Sequence, residues 1–482
     1  MNKRVFPFTK LLLSLLGLML ILSFLFNACD GTTSTTSQTS TTTTTTKTSA
    51  TATQTSTTTT ETQKVLKIGA VIDMRSPAGL QAKKWFDLIA KLKNSQGGWK
   101  IGNDTYKVEV ITYDSQGDVT KAKDELTRLV LQDGCKFILG QSSTGSAQVD
   151  MTITEPNKVI TIHQDMTNQV AKDAQYFYIS GNFFNSALSY KIAVSMQEQG
   201  HKTYCGVRPD NQLGRTMDAA VNTAWEIGAP NVTYTGTVWV APNTVDYAPI
   251  ATKVKSLNPD VVDLLYLGLI PNSVPQMYRA LYDVGYKGTI LPGSVSQAEL
   301  DALIVQVGKA SVEGGVLAPM GLDPRLYVTD PDLLAFYAAY EKEYGKFETD
   351  GISDMASWLM LQEGIKQTQS IDTDVLKAYF DNDPPAWYGT TGWVKLLARP
   401  ETGHYRTITW GIGGPAAIIH DGKLLPSSVT TIKDQYLFTI SSMNLTDTYK
   451  TYWTTKGYPK LPDEYKPLDT FTYAMLGITG AD

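Results

Sequence analysis

From Val65 onward, short runs of β-branched and aliphatic residues alternate with longer stretches whose apolar positions recur every three or four residues. Val65 to Asp73, VLKIGAVID, offers apolar side chains to both faces, which predicts a strand inside a doubly covered sheet. Ala78 to Asn94 then carries helical spacing. The unit repeats, with strands predicted at Val108 to Asp114, Phe137 to Gly140 and Val159 to Gln164, and helices at Asp118 to Gln132 and from about Thr144. Such alternation predicts a parallel sheet with helices on its faces.

A helical stretch at Asn185 to Gln199 leads into a second series of the same kind. Strands are predicted at Thr203 to Arg208, Val232 to Val240, Val261 to Gly268 and Thr289 to Leu291. Helices are predicted at Gln212 to Ile227, Tyr247 to Leu257, Ser273 to Val284 and Gln297 to Val305. Val312 to Ala318 reads as a further strand, followed by helical runs at Pro331 to Tyr344, Ser353 to Thr368 and Thr373 to Phe380. Trp393 to Leu397 and Tyr405 to Ile412 return to strand character, and beyond Pro426 no period emerges. The fold class expected is α/β, with two Rossmann-like lobes built on parallel sheets.

Ahead of this body the chain changes character. Lys3, Arg4 and Lys10 precede an apolar run from Leu11 to Phe26, which ends at Asn27-Ala28-Cys29. That order is the layout of a secretory signal peptide, and the run falls short of the roughly 20 residues a membrane-spanning helix needs. Ala28-Cys29 resembles the lipobox of bacterial lipoproteins, which implies acylation of Cys29 and a signal peptide over residues 1–28. Gly31 to Gln63 is mostly Thr, broken by Ser, Gln and Ala, and lacks the apolar surface to offset the entropy of ordering. Residues 29–63 are therefore expected to form a lipidated, disordered spacer.

The formal net charge of −5 is small for 482 residues, and no basic stripe interrupts the body, so nucleic acid is not an expected partner. Besides Cys29 the chain has only Cys135 and Cys205, far apart, which are expected as buried free thiols. The four histidines, at positions 163, 201, 404 and 420, lack metal-ligand spacing. A nucleophile elbow, phosphate loop or dinucleotide fingerprint is likewise missing, so no cofactor, metal or catalytic residue is expected.

The body resembles the type I periplasmic binding proteins, in particular the leucine/amide-type solute-binding family of ABC importers. The likeness rests on Ser76-Pro77-Ala78-Gly79 after the first strand, Asn94-Ser95-Gln96-Gly97-Gly98 at a helix end, and Tyr113-Asp114-Ser115-Gln116-Gly117-Asp118 at a turn. It continues through Ile138-Leu139-Gly140-Gln141-Ser142-Ser143, then Asp210-Asn211-Gln212-Leu213-Gly214 and Asn258-Pro259-Asp260-Val261-Val262. The resemblance implies discontinuous lobes that close around a solute, one from residues 64–183 and 312–394, the other from 184–311 and 395–482. It implies a monomer that delivers a small polar solute to ABC permease subunits outside the cytoplasmic membrane. A sensor using the same cleft is the main alternative, and a cell-surface hydrolase the lesser one.

The candidate site follows from this. Ser142, Ser143 and Thr144 lie at a strand end before a helix, where hydroxyls and free N–H groups suit a carboxylate. The resemblance carries the same role to Thr167, with Met166 beside it, and His163 is expected to be structural. Arg75 and Ser76 follow the first strand, and Asn211, Leu213 and Asn272 sit at corresponding loops of the second lobe. Leu213 and Asn272 stand where amino-acid binders carry an aromatic and an acidic residue. An ammonium-bearing solute is therefore in doubt unless Asp165, Asp210 or Asp354 reaches the ligand.

Overall fold

The computed structural model describes residues 64–482 apart from 141–143, 164–173, 181–184, 271, 294, 318–321, 350–353, 391, 401–403, 411–414, 430, 462–471 and 481–482. All of these belong to one compact unit, Thr62–Asp482. The first 63 residues, and with them the expected signal peptide, Cys29 and spacer, lie outside the described residues.

The first βα series runs β1 (Lys64–Ile72), α1 (Pro77–Ser95), β2 (Trp99–Ile101), β3 (Asp104–Asp114), α2 (Val119–Leu131), β4 (Phe137–Leu139), α3 (Thr144–Thr154), β5 (Ile160–His163) and β6 (Phe177–Ile179). These strands form one six-stranded sheet in the order β2-β3-β1-β4-β5-β6. All its pairings are parallel except the hairpin of β2 with β3. Neither β2 nor β6 is legible in the sequence, because three residues are too few to show a period. The apolar face pattern of β1 divides as expected. Leu66, Ile68, Ala70 and Ile72 face the core that holds Trp85 and Phe86 of α1. Val71 faces the core that holds Leu126 and Leu129 of α2 and Ile153 of α3.

The second series runs α4 (Asn185–Glu198), β7 (Thr203–Pro209), α5 (Gln212–Gly228), β8 (Thr233–Val240), α6 (Ala248–Ser256), β9 (Val261–Asp263), α7 (Ser273–Asp283), β10 (Thr289–Leu291) and α8 (Gln297–Val307). Its four strands form a parallel sheet in the order β10-β9-β7-β8. β9 stops five residues before the expected Gly268, at Asp263. There the Asp263 carboxylate accepts the Leu265 N–H at 2.8 Å, and Tyr266 takes a left-handed φ of 70°. A local side-chain bond has displaced the ladder bond that would have continued the strand. Likewise the strand expected over Val312 to Ala318 shrinks to β11 (Val316–Leu317), preceded by a tight turn at Lys309–Ser311.

The chain then returns to the first sheet. Val312, Leu317 and Leu322 pack in the second sheet's core, whereas Val328 and Leu333 pack in the first. α9 (Pro331–Tyr344), α10 (Met355–Thr368) and α11 (Thr373–Asp381) cover the α1 face of the first sheet. Trp85 of α1 is buried and stacks on Tyr340 of α9, ring centroids 3.7 Å apart at 29°. β12 (Trp387–Gly389), β13 (Gly392–Arg399) and β14 (His404–Trp410) form a small antiparallel sheet.

The region without a period resolves into a hairpin and two helices. β15 (Pro415–His420) and β16 (Lys423–Val429) pair antiparallel across Asp421-Gly422, both at positive φ, and extend β11. α12 (Ile432–Ser442) and α13 (Thr446–Lys456) follow. Tyr436, Leu437, Phe438 and Ile440 of α12 join a core that includes Phe177 and Ile179 of β6 and Ala224 of α5. A helix buried on nearly every side has no polar stripe, which is why its sequence shows no helical period.

Cys135 and Cys205 are free and buried, as expected, and burial pushes both thiols up to about 12, so neither is a reactive thiolate. Because Trp85 seats the returning helix against α1, Trp85→Ala is expected to destabilise the protein by about 3–5 kcal/mol in denaturant unfolding.

Candidate functional site

Parallel strands send all their βα loops to one edge of the sheet, and a crevice opens where the chain leaves neighbouring strands in opposite directions. In the first sheet that point lies between β1, whose helix leads outward to β3, and β4, whose helix leads to β5 on the other side. A pocket of about 240 Å³ occurs there. Its walls are Asp73, Ser76 and Gly79 after β1, Ser115, Gly117, Asp118 and Val119 after β3, Gly140 after β4, and Asp354 from the start of α10.

Each wall has a local cause. Ser76 is the N-cap of α1: its hydroxyl accepts the Gly79 N–H at 3.0 Å and donates to the Asp73 carbonyl at 2.9 Å. Gly79 must be glycine, because a Cβ there would lie 2.1 Å from that carbonyl. Asp118 caps α2 in the same way, accepting the Lys121 N–H at 2.8 Å. Gly140 turns the chain out of β4 at φ +76°, and a Cβ there would lie 2.9 Å from the Phe86 ring and 3.7 Å from a carboxylate oxygen of Asp354.

Asp354 departs most from ordinary behaviour. It sits at the N-cap of α10 without using its side chain as a cap, and among the described residues no donor reaches its carboxylate. It is 6% exposed, and burial pushes its pKa from the ordinary 3.8 up to about 8. Asp73 shows the opposite effect, since the hydrogen bond from the Arg75 guanidinium, at 2.9 Å, holds it low.

The other expected residues are dispersed. Arg75 is exposed and turned onto Asp73, so it stands beside the pocket rather than in its wall. Asn211 caps α5, accepting the Gly214 N–H at 2.7 Å, and a Cβ on Gly214 would lie 2.0 Å from the Pro209 carbonyl. The second sheet thus repeats the turn of Ser76 and Gly79. Nearby, Arg208 is buried with its guanidinium 2.9 Å from Asp263 and 3.4 Å from Asp218, which ties β7 to β9 and α5. Asn272 is exposed, at φ 59°, and opens α7. Thr144 opens α3 and Leu213 lies in the first turn of α5. Ser142, Ser143, Met166, Thr167 and Asp165 lie outside the described residues. His163 is buried at the end of β5, its ring tilted against Phe177 and its Nε2 3.9 Å from Asp150, a structural setting. Of the acids any one of which could serve an ammonium, Asp210 is exposed and paired with Arg215, and Asp354 borders the pocket.

A larger groove of about 810 Å³, lined by Trp99, Trp358, Trp387 and Trp393, lies near the amino ends of the first sheet's strands, away from the βα loops. The smaller pocket is the candidate because loops, helix starts and a buried acid converge on it.

Two largely parallel sheets, the first with a pocket at its carboxyl edge, are the α/β arrangement of the type I periplasmic binding fold. The chain belongs to the periplasmic binding protein family, whose model matches residues 65–397. Members work outside the cytoplasmic membrane and serve ABC transporters. Solved structures share the fold. A leucine-binding protein of Thermotoga maritima is 16% identical, with 76% of this chain and 98% of that one covered, at a TM-score of 0.56. The branched-chain amino acid transporter substrate-binding protein of Streptococcus pneumoniae, solved with isoleucine, is 16% identical over 76% and 99%, at 0.58. A solute-binding protein of Rhodopseudomonas palustris, solved with 3,4-dihydroxybenzoic acid, is 18% identical over 76% and 97%, at 0.57. No described helix is long and apolar enough to cross a membrane.

Two outcomes are expected. Gly140→Ala should destabilise by about 1–3 kcal/mol, since it combines a left-handed φ with overlap onto Phe86. Asp354 in the folded protein keeps a proton that the unfolded chain loses near pH 4, so its contribution to stability falls as pH rises from about 4 to about 8. Asp354→Asn should therefore raise the thermal midpoint at pH 7, with a gain that vanishes near pH 4.

Proposed function

We propose that this chain is the solute-capturing subunit of an ABC importer, held outside the membrane by a lipid on Cys29 and the Thr-rich spacer. The observation that carries the reading is the pocket at the carboxyl edge of the first sheet, where loops after β1, β3 and β4 meet Asp354. The repeat of the capped glycine turn at Asn211 and Gly214 supports a second, facing set of loops on the other sheet. Capture needs no bond chemistry. A solute touched by both lobes stabilises their closed arrangement by its differential affinity for that state.

The lobes in this reading comprise residues 64–183 with 312–394, and 184–311 with 395–482. The solute is a small polar molecule: an amino acid, an amide or a carboxylate-bearing compound. Ser142, Ser143, Thr144 and Thr167 receive its acidic or amide end from the loops after β4 and β5. Ser76 closes the pocket floor, Arg75 stands at its rim, and Asn211, Leu213 and Asn272 face it from the second lobe. Met166 is the neighbour of Thr167 in the same ligand-binding loop of this reading.

Thermal unfolding across a library of amino acids, amides, carboxylic acids and sugars tests the reading. One compound class should raise the midpoint by several degrees, because free ligand at about 100 times Kd adds about 2.7 kcal/mol. A flat result across the library would overturn capture. Ser143→Ala with Thr167→Ala should weaken that ligand while leaving the unliganded midpoint in place. Mass spectrometry of the membrane fraction should find a diacylglyceryl group on Cys29, and Cys29→Ser should shift the protein to the soluble fraction.

A further inference from the structure

The pocket beside β1 contains a group that the described residues leave unsatisfied. Asp354 is 6% exposed and borders the cavity, α10 does not use it as a cap, and no described donor approaches it. A carboxylate in that setting is costly unless an opposite charge meets it. Among the described residues of the lining there is no such charge. The other ionisable residues of the lining are Asp73 and Asp118, of the same sign. Arg75 is turned outward onto Asp73. α10 packs against β5, whose last residue, His163, is drawn toward Asp150.

The lining is also poorly suited to an anion. Helix starts attract anions through free N–H groups. Here the Ser76 hydroxyl already engages the first turn of α1, and the Asp118 carboxylate that of α2. Three carboxyl groups therefore surround a pocket whose nearest cation is already paired.

We propose that Asp354 is the counter-ion for a protonated amine on the captured solute. The inference rests on the solute-capture reading and narrows its ligand to ammonium-bearing molecules. Burial, which raises its pKa to about 8, makes Asp354 a neutral acid near pH 7. An arriving ammonium stabilises the ionised form, so the carboxyl proton passes to solvent while the carboxylate takes the cation. Binding then releases a proton at neutral pH and tightens as pH rises toward about 8.

Full-length protein is titrated calorimetrically with matched pairs: L-leucine and isocaproate, L-phenylalanine and hydrocinnamate, γ-aminobutyrate and butyrate. The amine-bearing member of at least one pair should bind roughly 100-fold or more tightly than its amine-free partner. Its heat should vary with the ionisation enthalpy of the buffer in the sense of proton release. Asp354→Asn should cost that ligand a similar factor and abolish the release, without lowering the unliganded midpoint. If the variant fails to fold, proton release by the unaltered protein decides. Equal or tighter binding of the amine-free partners, or affinity that falls with rising pH, would overturn the proposal and leave capture standing. In that case the neutral acid donates to a ligand carboxylate. Binding by no member of either set would overturn this inference, and the broader library would then decide capture itself.

Discussion

The parallel pairing of β1 with β3 on one side and β4 on the other is the constraint on which the rest depends. With both edges of β1 occupied, its loop and the loop of β4 must leave in opposite directions. The gap between them is a consequence of topology, present before any side chain is considered. The same pairing buries β1 on both faces. That burial demands α2 and α3 on one face, and α1 with the returning α9 and α10 on the other.

The return of the chain does more than cover a face. It brings the start of α10 to the mouth of the gap, so a residue far downstream in sequence becomes a wall of the pocket beside Gly140. Trp85 on Tyr340 fixes the neighbouring α9, and Met355 and Trp358 fix α10 in the same core. Packing on the covered face thus sets the position of Asp354 on the open edge. A buried acid whose charged form is disfavoured by desolvation is what that placement produces.

The second sheet reproduces the local chemistry of the first with different residues. Ser76 and Asn211 cap their helices onto glycines that no larger residue could replace, because the helix start nearly touches the strand end. The role of both polar side chains is visible: they hold the βα turns in shape. Arg208, Asp263 and Asp218 give the second sheet a buried ionic tie that joins β7 to β9 and α5.

Most elements of the two series were legible in the sequence, because strands buried on both faces and amphipathic helices carry strong periods. The short β2 and β6 carry too few residues for a period, and β9 ends early because Asp263 bonds its own backbone. α12 was illegible because a helix packed on nearly every side loses the polar stripe by which helices are recognised. The site divides similarly. Sequence by itself determined the serial βα plan, the capped turns at Ser76 and Asn211 and the polar loops after the strands, all of which are local. Tertiary structure alone decided which acid borders the pocket. Asp210 and Asp354 are alike as letters, but only long-range packing settles burial: Asp210 is exposed and paired with Arg215, whereas Asp354 is buried and no described donor reaches it.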